Sequence, residues 1–380
     1  MHRIRRLRRG QLVAAAAAIV VVAAVGATWL LLGREAPTAV ASPSPTATAE
    51  PTTSPSPSPS PSPTLTAQPF VACPLNGLPV DDPLLLDRVA LAVQIDDHPQ
   101  ARPARNLSRA DMIIEAPVEG DTTRFTAVFL CRATDGLTGP IRSARYYSID
   151  LWQDLGVLTV GFGASHEALR RFAAAGMPYL NGITGAWPWF RRVGDYPAPH
   201  NLYGDVEAMR GALGSGGSID RLAAKVGPLR PPFAFDPQAR LPAGKDVAAL
   251  EIHTTSYWRF GWTWDELGGV WARQDGGKLV VDEITGEPLT VTHVLVQRVV
   301  QEIPPGDPDP GGNPRRLQHL VGEGDGRLYS GGVAIELHWS RPTANNGTTW
   351  TYADTGEVVV LPPGVVWWEI VPITARVTES

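Results

Sequence analysis

Residues 11–32 form an uncharged, largely apolar run, and Arg3, Arg5, Arg6, Arg8 and Arg9 precede it. As a helix rising about 1.5 Å per residue, such a run reaches roughly 33 Å, enough for a hydrocarbon core of about 30 Å. The arginines of residues 1–10 hold that end in the cytoplasm, so everything beyond residue 32 is expected outside, behind a single-pass anchor. The same run also fits a cleaved signal peptide. Ala39, Val40 and Ala41 make a small-x-small site before Ser42, and cleavage there would release a secreted protein. The length of the run favours the anchor.

Residues 33–69 read as a disordered linker dominated by Pro, Ser, Thr and Ala, with strict Ser-Pro alternation over 54–63. This composition prefers extended polyproline II and has nothing with which to build a core. Fully extended, residues 37–69 would hold a domain on the order of 100 Å from the membrane. Arg3, Arg5, Arg6, Arg8, Arg9 and Arg34 outweigh Glu35 and Glu50, so residues 1–69 carry +4. The whole chain carries -5, which leaves -9 on the remainder. An acidic globular region lacks the basic footprint that nucleic-acid binding needs.

The remaining sequence is long enough for two domains. Residues 70–235 mix strands and helices. Strands are expected over 89–95, 111–115, 124–131 and 156–162. Helices are expected over 143–154 with Ser143 as N-cap, over 166–175 behind Ser165, and from Asp205 through 213. A proline-rich break at 227–242 reads as an exposed connector. Residues 243–380 are then expected to form an all-β domain, with hairpin signals at 275–277, 285–286 and 354–356. The fold class is α+β: a mixed α/β N-terminal domain followed by a β-rich C-terminal domain, each with its own core. Cys73 and Cys131 are the two cysteines. In an oxidising compartment they can pair, closing a loop worth roughly 4 kcal/mol on the chain-entropy model; alternatively Cys131 is a small buried apolar residue.

The densest polar segment runs from Asp96 to Asp150, and every basic residue in it is arginine. Arginine suits bidentate contacts to phosphate or carboxylate. Two of these, Arg142 and Arg145, fall at the expected helix start, where the dipole disfavours cations by about 0.3–1 kcal/mol. Either an internal carboxylate such as Glu115 or Glu119 offsets them, or a bound anion does. Residues 161–165 offer a second helix N-terminus after a strand, but they lack the third glycine of a dinucleotide fingerprint. His98, His166 and His200 sit in turn-like contexts. With Asp96 they would make a divalent-cation site only if they converge, since no HxxxH spacing brings them together; no cofactor is otherwise implied. Ser143 and Ser165 lie outside nucleophile motifs. The many tryptophans after residue 250 read chiefly as core. Trp367 and Trp368 point to opposite faces of a strand, so one of them is expected to be exposed or at a domain interface.

Several segments in order, CPLNGLPV (73–80), AVQIDDHPQARP (92–103), EAPVEGDTTRF (115–125), GPIRSAR (139–145), PHNLY (199–203) and LPPGVVW (361–367), resemble the YerB-like family of bacterial envelope lipoproteins. The resemblance implies an N- and a C-terminal domain of unknown function (domain of unknown function 3048) and an envelope location. Family members are usually lipid-anchored; the apolar run and stalk here depart from that. The expected site comprises Asp96, Arg102, Glu119, Arg124, Arg142, Arg145 and His200, binding or transferring an anionic envelope ligand such as a phosphorylated glycan or a lipid-linked pyrophosphate. Two alternatives are an adaptor that docks a protein partner through the β domain and a metal-dependent polysaccharide-modifying hydrolase.

The charge asymmetry around residues 11–32 generates a topology test. Protease added to intact, wall-stripped cells should degrade the region beyond residue 70. Full protection behind a sealed membrane would reverse the assigned orientation.

Overall fold

Strand alternation builds the main layer. Leu91, Val93 and Ile95 of strand β1 (Leu91–Asp96) join one apolar cluster, while Ala92 joins another. In β2 (Met112–Pro117), Ile113 belongs to the first cluster, and Met112, Ile114 and Ala116 belong to the second. Both strands are buried at every position. Since successive side chains point to opposite faces, such strands belong to a sheet covered on both sides.

The computed structural model describes residues 71–380 apart from 81, 186, 256 and 257. The expected cytoplasmic segment, anchor, cleavage site and linker lie outside the described residues. Among those described, no helix is long and apolar enough to cross a membrane. After β3 (Thr123–Phe129) come α1 (Tyr147–Leu155), β4 (Leu158–Gly161), α2 (His166–Ala175), β5 (Tyr179–Asn181), α3 (Val206–Ala212) and α4 (Ser218–Ala223). The second half is strands: β6 (Ala249–His253), β7 (Arg259–Asp265), β8 (Val270–Asp275), β9 (His293–Val299), β10 (Gly322–Ser330), β11 (Val333–Arg341), β12 (Thr349–Tyr352), β13 (Val366–Pro372) and β14 (Arg376–Glu379), with shorter pieces between. Content by half therefore follows the sequence reading.

The cores do not. One eleven-stranded sheet runs β12-β11-β10-β9-β13-β2-β3-β1-β4-β5, with Lys245–Asp246 added on β11. Strand β13 lies parallel to β9 on one edge and to β2 on the other. All seven of its residues are buried. A parallel strand covered on both faces needs a ladder on both edges, and β2 supplies the second. The expectation of two separate cores is thus corrected. The expected connector also takes part in packing: Phe233 is buried against Trp350, and Ala234–Phe235 pairs with Val360–Leu361. A six-stranded sheet containing β8-β7-β6-β14 covers one face of the large sheet, with Trp262 of β7 edge-on to Trp367 of β13 at 4.9 Å. On the opposite face Trp368 meets Trp350. Neither Trp367 nor Trp368 is exposed, because both faces of β13 are covered.

Ser165 caps α2 by accepting from the Ala168 amide, and Asp205 caps α3 in the same way from Ala208. Cys73 and Cys131 form a disulfide across a separation of 58 positions, joining the 71–80 segment to the end of β3. Beside it, the buried Asp111 carboxylate accepts from the Leu130 and Cys131 amides and from Asn76.

The shared sheet makes a prediction. Residues 71–242 expressed alone lose β9 and β13, and should show no cooperative thermal transition by circular dichroism. A sharp melt from that fragment would mean that the first half holds a sufficient core of its own.

Candidate functional site

The antiparallel register of β1 and β3 sets Asp96 directly opposite Arg124. Asp96 is 2% exposed. Arg142 Nε lies 3.1 Å and His200 Nδ1 2.7 Å from its Oδ2, and Arg124 Nη2 lies 3.6 Å from its Oδ1. Burial works against ionisation of Asp96, but Arg124, the hydrogen bond from His200 and Arg142 outweigh it and hold the carboxyl well below the usual range. His200 stacks on His98, with ring centroids 4.5 Å apart and planes at 16°. His98 Nδ1 accepts from the Gln100 amide at 3.2 Å. Burial, then the neighbouring His200, push the His98 pKa down.

The second part of this cluster forms ahead of α1. The helix starts at Tyr147 rather than at residue 143, and Ser143 Oγ donates to the Phe162 carbonyl instead of capping it. Arg142 and Arg145 therefore precede the helix, and the helix-start argument for a bound anion is corrected. Arg145 Nε donates to Glu119 Oε2 at 2.7 Å, with a second contact between Arg145 Nη2 and Glu119 Oε1. This is the internal-carboxylate arrangement. The loop over residues 303–316 of the second half lies against it. Arg315 Nη1 lies 3.3 Å from Glu119, and its Nε lies 3.4 Å from Asp307. Asp307 in turn accepts from Ser165 Oγ at 2.7 Å and from the Tyr146 hydroxyl.

Four guanidiniums, Arg124, Arg142, Arg145 and Arg315, thus meet three carboxylates, Asp96, Glu119 and Asp307. Arg124 is the least well neutralised. It is 3% exposed, its nearest carboxylate contact is the 3.6 Å one, and its Nε has no hydrogen-bond partner. Burial and then Arg145, opposed by Asp96 and reinforced by Arg142, bring its pKa down to about 10. Arg142, with its side chain 27% exposed, is the open side of the group.

Asp97, the next residue along, serves a different cluster. It accepts from Arg102 Nε at 2.9 Å, and Arg102 also contacts Asp275 and lies over the Trp258 ring. Thr123 Oγ1 lies 2.6 Å from both Asp97 Oδ2 and Glu115 Oε1. One hydroxyl proton serves one of these contacts, so the other falls to a proton on a carboxyl. Burial above all, with Glu115 adding to it, pushes Asp97 up to about 7 against the pull of Arg102 and Arg273. Glu115 itself accepts at both oxygens from the single nitrogen Arg273 Nη2, at 2.8 and 2.9 Å, and takes a hydrogen bond from Trp367 Nε1. Glu369, opposite Glu115 in the parallel register, accepts from Trp262 Nε1; burial and Glu115 drive its pKa well up.

Of the expected site residues, the structure joins Asp96, Arg124, Arg142 and His200 directly. Arg145 and Glu119 adjoin them through the Ser143 carbonyl, which accepts from both Arg124 and Arg145. Arg102 is not with them but in the Asp97 cluster. Of the three turn histidines, His98 and His200 come together beside Asp96, whereas His166 is exposed at the start of α2 and shares none of these contacts. Among the described residues, the grouping close enough to hold a metal is Cys73, Asp111 and Cys131, and its cysteines are spent in the disulfide. Arg273, Glu369, Asp307 and Arg315 were not anticipated. Glu369 is a lone charge inside the apolar run VVWWEIV, and Arg273 follows the inward Trp271 by two positions; both are signals of a buried ion. No local pattern marks Asp307 or Arg315.

Residues 75–218 match the family model described as the N-terminal domain of a protein of unknown function (DUF3048), and residues 249–368 match its C-terminal domain. Over 301 residues the chain is 28% identical to YerB of Bacillus subtilis (strain 168), named as a candidate lipoprotein; the match covers 79% of this chain and 86% of that one. The crystal structure of Bacillus subtilis YerB is similar with a TM-score of 0.67 at 26% identity, covering 81% of this chain and 99% of that one.

The raised Asp97 carboxyl gives a pH prediction. From about pH 4 to about 7 the folded state keeps a proton that the unfolded chain has released, so this group makes stability fall as pH rises. Asp97→Asn should flatten the decline of melting temperature across that window. A variant with the wild-type slope would mean that Asp97 is ionised in the folded protein.

Proposed function

The chain belongs to the YerB-like DUF3048 family, and on that premise we propose an envelope protein that binds an anionic, phosphate-bearing ligand at Arg124, Arg142 and Arg145. A phosphorylated glycan or a lipid-linked pyrophosphate has the required chemistry. Support for the location comes from the relative named as a candidate lipoprotein, and from the apolar run and stalk of this sequence. The observation that carries the ligand class is Arg124. A buried guanidinium flanked by two others and short of carboxylate is destabilising by several kcal/mol unless an anion completes the charge balance. Arg142 offers such an anion a partly exposed route to the cluster.

Arg142→Ala should weaken binding of inorganic pyrophosphate, measured by calorimetry, by about 10-fold or more, the worth of one charge-assisted contact. Its melting temperature should stay near wild type, because Arg142 is the most exposed member and its removal leaves Asp96 paired with Arg124 and His200. A large fall in melting temperature with affinity unchanged would make the cluster scaffold. The adaptor reading has one observation in its favour: exposed Val300, Val321 and Ile373 line a common groove beside Trp339.

A further inference from the structure

Asp96 does more than offset arginines. With its Oδ2 2.7 Å from His200 Nδ1, it fixes the tautomer of that ring: Nδ1 carries a proton and donates it, and the Nε2 lone pair is left free. His200 Nε2 has no hydrogen bond to a described residue, and the residue keeps 7% exposure. The stacked His98 is the complement. Its Nδ1 accepts from the Gln100 amide, so its own proton sits on Nε2. Two parallel rings 4.5 Å apart thus offer an acceptor and a donor next to Arg142, the most exposed guanidinium of the cluster at 27%, which pairs with the same Asp96 oxygen as His200. A base oriented by a buried carboxylate beside an anion-holding cation is the arrangement general-base hydrolysis needs. Ser143 Oγ, the hydroxyl of the GPIRSAR segment, is committed to the Phe162 carbonyl, which points to water as the nucleophile.

We propose, resting on the anion-site reading above, that this site hydrolyses phosphate monoesters, with His200 as catalytic base and Asp96 as its positioning residue. His200 Nε2 takes a proton from water as the water oxygen bonds to phosphorus. The bond from phosphorus to the ester oxygen breaks on the side opposite the incoming water; that oxygen takes its proton from solvent, and the His200 imidazolium returns its proton to solvent. Water is consumed, and an alcohol and inorganic phosphate are formed. Arg142 and the Nε2–H of His98 hold phosphoryl oxygens, while Asp96 stays ionised and stabilises the transient imidazolium.

The test uses the full chain, p-nitrophenyl phosphate for turnover and inorganic phosphate for binding. Wild type should hydrolyse the ester. His200→Gln should lose about 100-fold or more in kcat while its phosphate Kd stays within about threefold. Asp96→Asn should lower kcat with KM for the ester near wild type, whereas a merely structural role would change both together. Wild type that binds phosphate without cleaving the ester, or His200→Gln with wild-type turnover, overturns the hydrolase proposal and leaves the binding reading standing. Wild type that binds no phosphate overturns both.

Discussion

A guanidinium enclosed between two sheets has to be neutralised where it stands, and Arg273 meets that constraint in one way. It is 1% exposed, holds both oxygens of Glu115, and lies 4.0 Å from the centre of the Phe260 ring, with Trp262 and Trp367 also in range. Stranding either partner of such a pair costs about 3–5 kcal/mol. Arg273 belongs to the small sheet and Glu115 to the large one, so the pair fixes how the two sheets register. It also sets what the neighbours can be. Glu369 stands opposite Glu115 on β13, and the two share the field of one guanidinium. Glu369 is therefore driven toward its neutral acid, stabilised by the Trp262 indole N–H.

Strand alternation then divides the chemistry. Asp96 and Asp97 are adjacent at the end of β1, yet they share no partner. Asp96 meets Arg124, Arg142 and His200; Asp97 meets Arg102 and Thr123, and through Thr123 the Glu115 pair. One step along a strand exchanges the faces of a sheet. The DD pair is thereby a junction between the sheet–sheet interface and the arginine cluster, and the two halves of the chain meet at it.

The sequence made β1, β2, β4, α2 and α3 legible because each has local signals: an apolar run, a serine or aspartate cap, a bounding glycine. Strand β10 has the opposite composition, GEGDGRLYS, and carries no local strand signal. It is a strand because β9 and β11 pair with both its edges, a tertiary effect that overrides propensity. Strand β7 carries its own alternation in Phe260, Trp262 and Trp264, with Gly261 inside it. For the site, the arginines and Asp96 were readable from their density. Their partners were not, because Asp96 and His200 lie 104 positions apart and Glu115 and Arg273 lie 158 apart. Helix onset at 147 rather than 143 was missed for a related reason: Ser143 is drawn off by the Phe162 carbonyl, a contact made only in the folded sheet.

The two polar clusters carry opposite imbalances, and physical chemistry resolves them differently. Between the sheets, Asp97, Asp275, Glu115 and Glu369 outnumber Arg102 and Arg273. Carboxyls can take up protons near neutral pH when burial raises their pKa, and the upward shifts of Asp97 and Glu369 are that response. In the other cluster the excess is guanidinium. Arginine has no equivalent escape: Arg124, even brought down to about 10, remains protonated at physiological pH. A surplus of buried positive charge that cannot be titrated away is relieved by solvent or by an anion from outside. Arg142 is where both can enter, and the Asp96–His200 pair sits on the same oxygen. On the proposed reading, a ligand drawn there by charge would arrive beside an oriented imidazole, so binding and proton transfer would share one site.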